Sequence, residues 1–301
     1  VGGLLECLPH GSRVAVVRLR SMGDCVLTTP ALAVLRRSRP DLRLAVVVEN
    51  RFRALFEDHP DLDEILPPRW SALRQWGPRL CVDLHGGTRS AWMTALSGAE
   101  HRAGFGHFRH RWAYNAHIPR AQEILHLERV VHTAEHLASA MFWLGAEAGE
   151  IPRAKLASQN AAPAPVAVIH PVAATPAKTW RADGFLAVAV RLAKLGLEPV
   201  FIGAASDDLA PFRAFRTLAG APLGQVKALL AGACFFVGND SGPAHMAAAF
   251  GLPVVVVFGD SNPAIWGPWR TSSEVVTAPG GIGRVEPSQV LDALERLRVH
   301  A

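Results

Sequence analysis

The chain has 301 residues, 50% of them hydrophobic and 19% charged, and carries a formal net charge of +5. That length exceeds one typical domain and points to two, and so apolar a composition excludes a disordered chain. No apolar run approaches the roughly 18 residues of a membrane span, and the segment VGGLLECLPHGSR lacks the basic and long apolar regions of a signal peptide.

In chain order, residues 13–19 (RVAVVRL) predict a strand that runs into the polar turn Arg20-Ser21-Met22-Gly23-Asp24. A helix is expected over 25–39, with Pro30 in its first turns, where a helix accepts proline. Strands at 42–48 and 65–66 flank a helical stretch at 50–59, which gives the strand–helix alternation of a doubly wound domain. The turn after the first strand lies at the carboxyl edge of such a sheet, where these folds place their chemistry. Asp24 is therefore the candidate general base; a helix cap is the alternative role.

Residues 80–84 (LCVDL) read as another strand, followed by His85-Gly86-Gly87-Thr88-Arg89-Ser90 and a helix over 90–96. The stretch 101–120 is basic, with Arg102, Arg109, Arg111 and Arg120 interleaved with Phe105, Phe108, Trp112 and Tyr114. Such interleaving stacks sugar rings and pairs with anions, or it is a solvated basic loop. Its histidines match no metal motif. A helix over 132–144 follows. Periodicity is lost at 157–165, which divides the chain into domains 1–160 and 161–301.

The second half repeats the pattern. A strand at 166–170 leads to a loop at 171–180 that carries Thr175 and Lys178, a hydroxyl and an ammonium able to neutralise a diphosphate. A surface lysine is the other reading of Lys178. A helix over 185–195 and a strand over 198–202 precede Gly203 to Asp208, and a helix over 225–231 precedes the most informative stretch, CFFVGNDSGPAHMAAAFGLPVVVVFG. There a strand at 234–237, a turn, a helix to Phe250 and a strand at 254–258 form one βαβ-type unit. Helix N-termini attract anions. Asp240 and Ser241 either cap this one or flank a phosphate, and His245, one turn on, shares the face of Ser241. Residues 259–269 read as a loop, and a final helix over 288–299 is expected to reach the first domain. No GxGxxG, P-loop or GxSxG motif is present. The scattered cysteines Cys7, Cys25, Cys81 and Cys234 are expected to be reduced and mostly buried, as in the cytoplasm.

Together RLRSMGDCVLTTPAL, VDLHGGTRSA, HPVAATPAKTW and FVGNDSGPAHMAAAFGLPVVVVFGDSNP resemble glycosyltransferase family 9, the heptosyltransferases, over residues 13–269. The resemblance implies an α/β fold of GT-B type, two facing Rossmann-like domains with a cleft between them. It implies an inverting, metal-independent transfer from an ADP-linked sugar to a lipopolysaccharide-type saccharide or glycolipid, with no cofactor. Asp24 would be the catalytic base. Thr175, Lys178, Asp207, Asp240, Ser241, Gly242 and His245 would hold the donor, and Ser21, Met22, Gly23, Arg102, Arg109, Arg111 and Arg120 the acceptor. A cytoplasmic protein peripheral to the inner membrane face is implied, with no nucleic-acid partner. The chain departs from the family pattern at Val172, where a glycine is common, and at Asp260-Ser261-Asn262. A nucleotide-sugar epimerase of similar layout, or a non-catalytic sugar-nucleotide binding protein, is the rival reading.

Overall fold

The computed structural model describes residues 3–159 and 161–297. The chain forms two compact units, Val1–Lys155 and Leu156–Ala301. The first contains α1 (Leu4–Cys7), β1 (Arg13–Val17), α2 (Met22–Ser38), β2 (Arg43–Val47), β3 (Glu64–Leu66), α3 (Trp70–Trp76), β4 (Leu80–Asp83), α4 (Thr88–Ala95), β5 (His101–Phe105), β6 (Ala116–Ile118), α5 (Ala121–Leu125) and α6 (Thr133–Trp143). Its six strands are parallel in the order β3-β2-β1-β4-β5-β6. Strands β1 and β2 each open on an exposed arginine and continue as four buried residues. That is how a parallel strand covered on both faces reads.

The second unit contains β7 (Val166–His170), α7 (Ala182–Lys194), β8 (Glu198–Gly203), β9 (Arg216–Ala219), α8 (Leu223–Gly232), β10 (Phe235–Asn239), α9 (Gly242–Phe250), β11 (Val254–Val257), α10 (Pro263–Trp266), β12 (Ser273–Val276) and α11 (Pro287–Arg296). Its sheet runs β9-β8-β7-β10-β11-β12, again all parallel. Counted from its own first strand, each sheet has the order 3-2-1-4-5-6. The order reverses between β1 and β4 in one and between β7 and β10 in the other. Loops after those strands part to opposite sides and leave a crevice, the usual ligand position in this class.

Several expectations change in detail. Helix α2 begins at Met22, so Pro30 lies well inside it. Proline cannot donate to the carbonyl of Val26; the Thr29 hydroxyl does so instead, at 2.8 Å. The basic stretch at 101–120 holds two short strands, β5 and β6, in which Ala103, Phe105, Ala116 and Ile118 are buried. Gly104 permits this, since a Cβ there would stand 2.7 Å from the Tyr114 ring. Edge strands β9 and β12 are too exposed to show an apolar run. The segment after Phe258 contains α10 rather than loop alone. The final helix, α11, buries Val290, Ala293 and Leu294 in the core of the second unit. Cys25 and Cys81 are buried but Cys7 and Cys234 are exposed, all four as free thiols. Among the described residues, no helix is long and apolar enough to cross a membrane.

In the second unit Trp180 is almost fully buried, and its Nε1 donates to the Val285 carbonyl at 2.8 Å. Gly184 lies against its ring: a Cβ would meet Trp180 Cζ2 at 2.5 Å. Gly184→Ala is expected to lower stability by about 1–3 kcal/mol through overpacking, read as an earlier midpoint in urea unfolding.

Candidate active site

At the switch point of the first sheet, Arg18 follows β1 and is buried. Its Nη2 forms an ion pair with Asp24 Oδ1, and its Nη1 donates to the carbonyl of Leu84, just past β4. The buried Nε has no partner. Asp24 is the third residue of α2, whose N-cap is Ser21. Ser21 donates to Asp24 Oδ2 through its backbone N–H at 3.3 Å and its hydroxyl at 2.9 Å. The carboxylate thus serves the helix start and still reaches solvent, with its side chain 19% exposed. It opens on a pocket of about 440 Å³ lined by Arg18, Arg20, Ser21, Asp24, Arg51, Phe52 and His85. Arg51 is also paired with Glu49 at 2.8 Å, while Arg20 is exposed and has no carboxylate partner among the described residues. Three guanidinium groups around one carboxylate favour an anionic occupant.

The wall of this pocket is set by Asp83, which is fully buried. Its Oδ1 accepts from the backbone N–H of His85 at 2.8 Å and of Gly86 at 3.0 Å, and its Oδ2 accepts from the Tyr114 hydroxyl at 2.8 Å. Burial and the Asp83 carboxylate push the Tyr114 phenol up, so it stays a donor. Gly86 has φ +76°, and a Cβ there would strike the Phe108 ring at 2.6 Å. Burial and the Arg18 charge hold His85 below its usual range. Burial also pushes the Cys25 thiol up to about 12, which excludes it as a nucleophile at neutral pH.

The expected acceptor residues are scattered. Ser21 lines the pocket, whereas Met22 and Gly23 form the first turn of α2. Arg102 is the second residue of β5, paired with Cys81, so it lies towards the opposite edge of the sheet. Its guanidinium is taken up by the carbonyls of Ala113 at 3.2 Å and Ala99 at 3.1 Å. Arg109, Arg111 and Arg120 are exposed outside the pocket lining, and Arg120 is the N-cap of α5. Sequence reasoning missed Arg18, Arg20, Arg51, Phe52 and His85. Arg18 carried a signal: a charge directly after four buried strand residues needs a buried partner.

At the second switch point, His170 ends β7 and its Nδ1 lies 3.0 Å from Ser241 Oγ. Ser241 occupies the N-cap of α9, yet its side chain makes no capping bond. Asp240 does not cap either; its Oδ2 accepts from Lys178 Nζ at 3.3 Å and from the Ser261 hydroxyl. Asn239 is fully buried, and its Oδ1 accepts from the Trp180 N–H at 2.9 Å, which ties the 171–180 loop to β10. Its Nδ2 is buried without a partner. Gly259 brings a second backbone against this loop, since any Cβ there would collide with the Ala177 carbonyl. Thr175 is exposed, and its carbonyl accepts from the Lys178 N–H at 3.0 Å. Asp207 follows β8, where its Oδ2 accepts from the Ala204 N–H at 2.6 Å. Gly242 opens α9, and His245 is buried within it. The structure therefore joins Lys178 to Asp240 and Ser241 to His170. No group of three or more potential metal ligands occurs among the described residues.

Residues 70–283 match the profile of Glycosyltransferase family 9 (heptosyltransferase). The chain belongs to glycosyltransferase family 9. The match spans most of this glycosyltransferase and includes every motif of the second sheet's switch point. Lipopolysaccharide heptosyltransferase 1 of Pseudomonas aeruginosa is 26% identical, with 86% of this chain and 82% of that protein covered. The glycosyltransferase family 9 structure from Veillonella parvula superposes with a TM-score of 0.82 at 21% identity, covering 95% of this chain and 97% of that one. The Escherichia coli heptosyltransferase WaaC with ADP gives 0.78 at 22% identity, covering 95% and 99%. These structural likenesses show the α/β GT-B fold.

Two histidines of this family 9 chain are held neutral by burial. His136, stacked on Phe105 with ring centroids 4.1 Å apart, is lowered to about 4 by burial and by His107. His170 is lowered to about 4 by burial, which the Asp207 charge only partly opposes. The unfolded chain then binds more protons than the native one below the ordinary histidine value of 6.5. Stability is expected to be full above that value and to fall as pH drops towards about 4. Urea unfolding across this window measures the slope, and His170→Gln should flatten it.

Proposed function

We propose that this glycosyltransferase moves a heptose from an ADP-linked donor to a hydroxyl of a lipopolysaccharide-type saccharide or glycolipid. Transfer proceeds with inversion at the sugar carbon and without a metal ion. The observation that carries the reading is Asp24, a partly exposed carboxylate held by Arg18 and Ser21 at an arginine-lined pocket of about 440 Å³. Family membership supports the reaction class, and the ADP named in the Escherichia coli structure supports the donor.

The acceptor hydroxyl stands beside Asp24, with its anionic groups drawn by Arg18, Arg20 and Arg51. Arg109, Arg111 and Arg120 meet anions further out. As the new oxygen–carbon bond forms, the bond from that carbon to the diphosphate oxygen breaks and ADP leaves with its electron pair. The hydroxyl proton passes to Asp24. A carboxylate is a weak base, so the proton moves late, once the attacking oxygen has become acidic. On the donor side, Lys178, Thr175 and the start of α9 at Ser241 and Gly242 meet the diphosphate, Asp240 and His245 the sugar, and Asp207 the nucleoside. The ammonium and the helix terminus supply the charge that a metal supplies in other transferases. The reaction runs in the cytoplasm, with the protein peripheral to the membrane that holds a lipid acceptor.

With ADP-heptose and a lipopolysaccharide-core fragment, Asp24→Asn is expected to lower turnover by about 10²–10⁴-fold while donor affinity stays within a few-fold. Near-normal turnover in a folded variant would remove Asp24 from the base role. Activity should persist in excess chelator; loss restored by one divalent ion would refute metal independence. Conversion of donor with no acceptor present would favour the epimerase.

A further inference from the structure

The first unit carries an exposed aromatic face unrelated to the fold's core. Trp70, Trp92 and Trp112 are 50%, 53% and 55% exposed, and Leu96 between them is 40% exposed. They project from α3, α4 and the single turn at Arg111–Ala113, whose inward residues Leu73, Ala91 and Ala113 are buried. The rings of Trp92 and Trp112 meet edge to face, 4.6 Å between centroids. Trp70 and Trp92, with Pro68, Met93 and Leu96, line a shallow depression of about 430 Å³ edged by Arg69 and Arg89. Contiguous exposed apolar surface of this kind marks an interaction site.

The charge around it identifies the partner. Residues 67–112 hold seven arginines against two carboxylates. One of the two, Asp83, is fully buried, and the other, Glu100, is paired with Arg79 at 2.9 Å. Arg69 and Arg111, each next in sequence to an exposed tryptophan, have no carboxylate partner among the described residues. Tryptophan prefers the boundary between hydrocarbon and water, and unpaired arginines beside it are drawn to anionic head groups. We propose that the face formed by Trp70, Trp92, Trp112, Arg69 and Arg111 docks onto an anionic lipid bilayer. This deepens the membrane-peripheral part of the proposed function by naming the surface that makes the contact.

The face is coupled to the pocket. Arg89, at its edge, lies 3.8 Å from Glu49, and Glu49 holds Arg51 of the pocket lining. A saccharide anchored in the same bilayer would meet Arg51 without leaving the surface.

Flotation of the full chain with vesicles tests this. It should float with phosphatidylcholine vesicles containing phosphatidylglycerol and not with phosphatidylcholine alone. The double variant Trp70→Ser, Trp92→Ser should lose about tenfold or more in vesicle affinity while its transfer rate to a water-soluble acceptor stays unchanged. Arg69→Ser should weaken binding and reduce its salt dependence. Three results overturn the inference: no flotation of the wild-type chain, full flotation of the folded double variant, or displacement from vesicles by a lipid-free saccharide. The last would make the face a sugar platform. If transfer proves absent but flotation follows the tryptophans, the docking surface stands and the catalytic reading fails.

Discussion

Arg18 leaves β1 where the first sheet divides, and its guanidinium joins the two loops that diverge there. One nitrogen holds Asp24 at the start of α2; another holds the Leu84 carbonyl beyond β4. A buried arginine is costly unless its charge and its donors are met, so both loops are fixed by what the guanidinium needs. The same contact keeps the Asp24 carboxylate at the pocket rim rather than folded onto the helix terminus alone. Through Ser21 it also sets the first turn of α2. Asp83 performs the matching task on the other wall, since three donors converge on its two oxygens and shape the His85-Gly86-Gly87 turn.

The second sheet solves a similar problem with backbone rather than charge. Asn239 fastens the 171–180 loop to β10, and Gly259 lets the following segment press on the Ala177 carbonyl. Between these contacts Lys178 is placed against Asp240, with Ser261 on the same oxygen. The serine is one of the positions where the chain departs from the usual family residues, and it is in direct contact with a proposed donor group. The hydroxyl of Ser241 is turned to His170, which leaves the first turn of α9 without a side-chain cap. An anion at that terminus would meet unsatisfied N–H groups.

The sequence carried the alternation of strands and helices, both switch-point loops and the family resemblance, because continuous valine-rich runs and Gly/Pro punctuation are strong local signals. It did not carry β5 and β6, whose apolar positions are few and whose arginines dominate the composition. Arg102 shows why: its charge looked like a ligand for anions, yet its donors are spent on the carbonyls of Ala99 and Ala113. Asp24 was legible as either cap or base; in the structure it accepts from Ser21 at the start of α2 and keeps part of its carboxylate exposed at the pocket. Arg51 and Phe52 were not legible as pocket residues, since pockets gather residues from loops far apart in sequence and periodicity speaks only for neighbours; Arg18 was legible only as a charge in need of a buried partner.

The strand order has a consequence for how the protein is made. In each half the first strand pairs with the fourth, so β1 keeps an open edge until Leu80–Asp83 leaves the ribosome, and β7 until Phe235–Asn239 does. An unpaired edge of that length is a template for wrong association, and domains emerge from the N-terminus first. The crevices beside Asp24 and Ser241 are bounded by those late pairings. Each half of the nascent chain therefore acquires its chemistry only after most of its length has been translated.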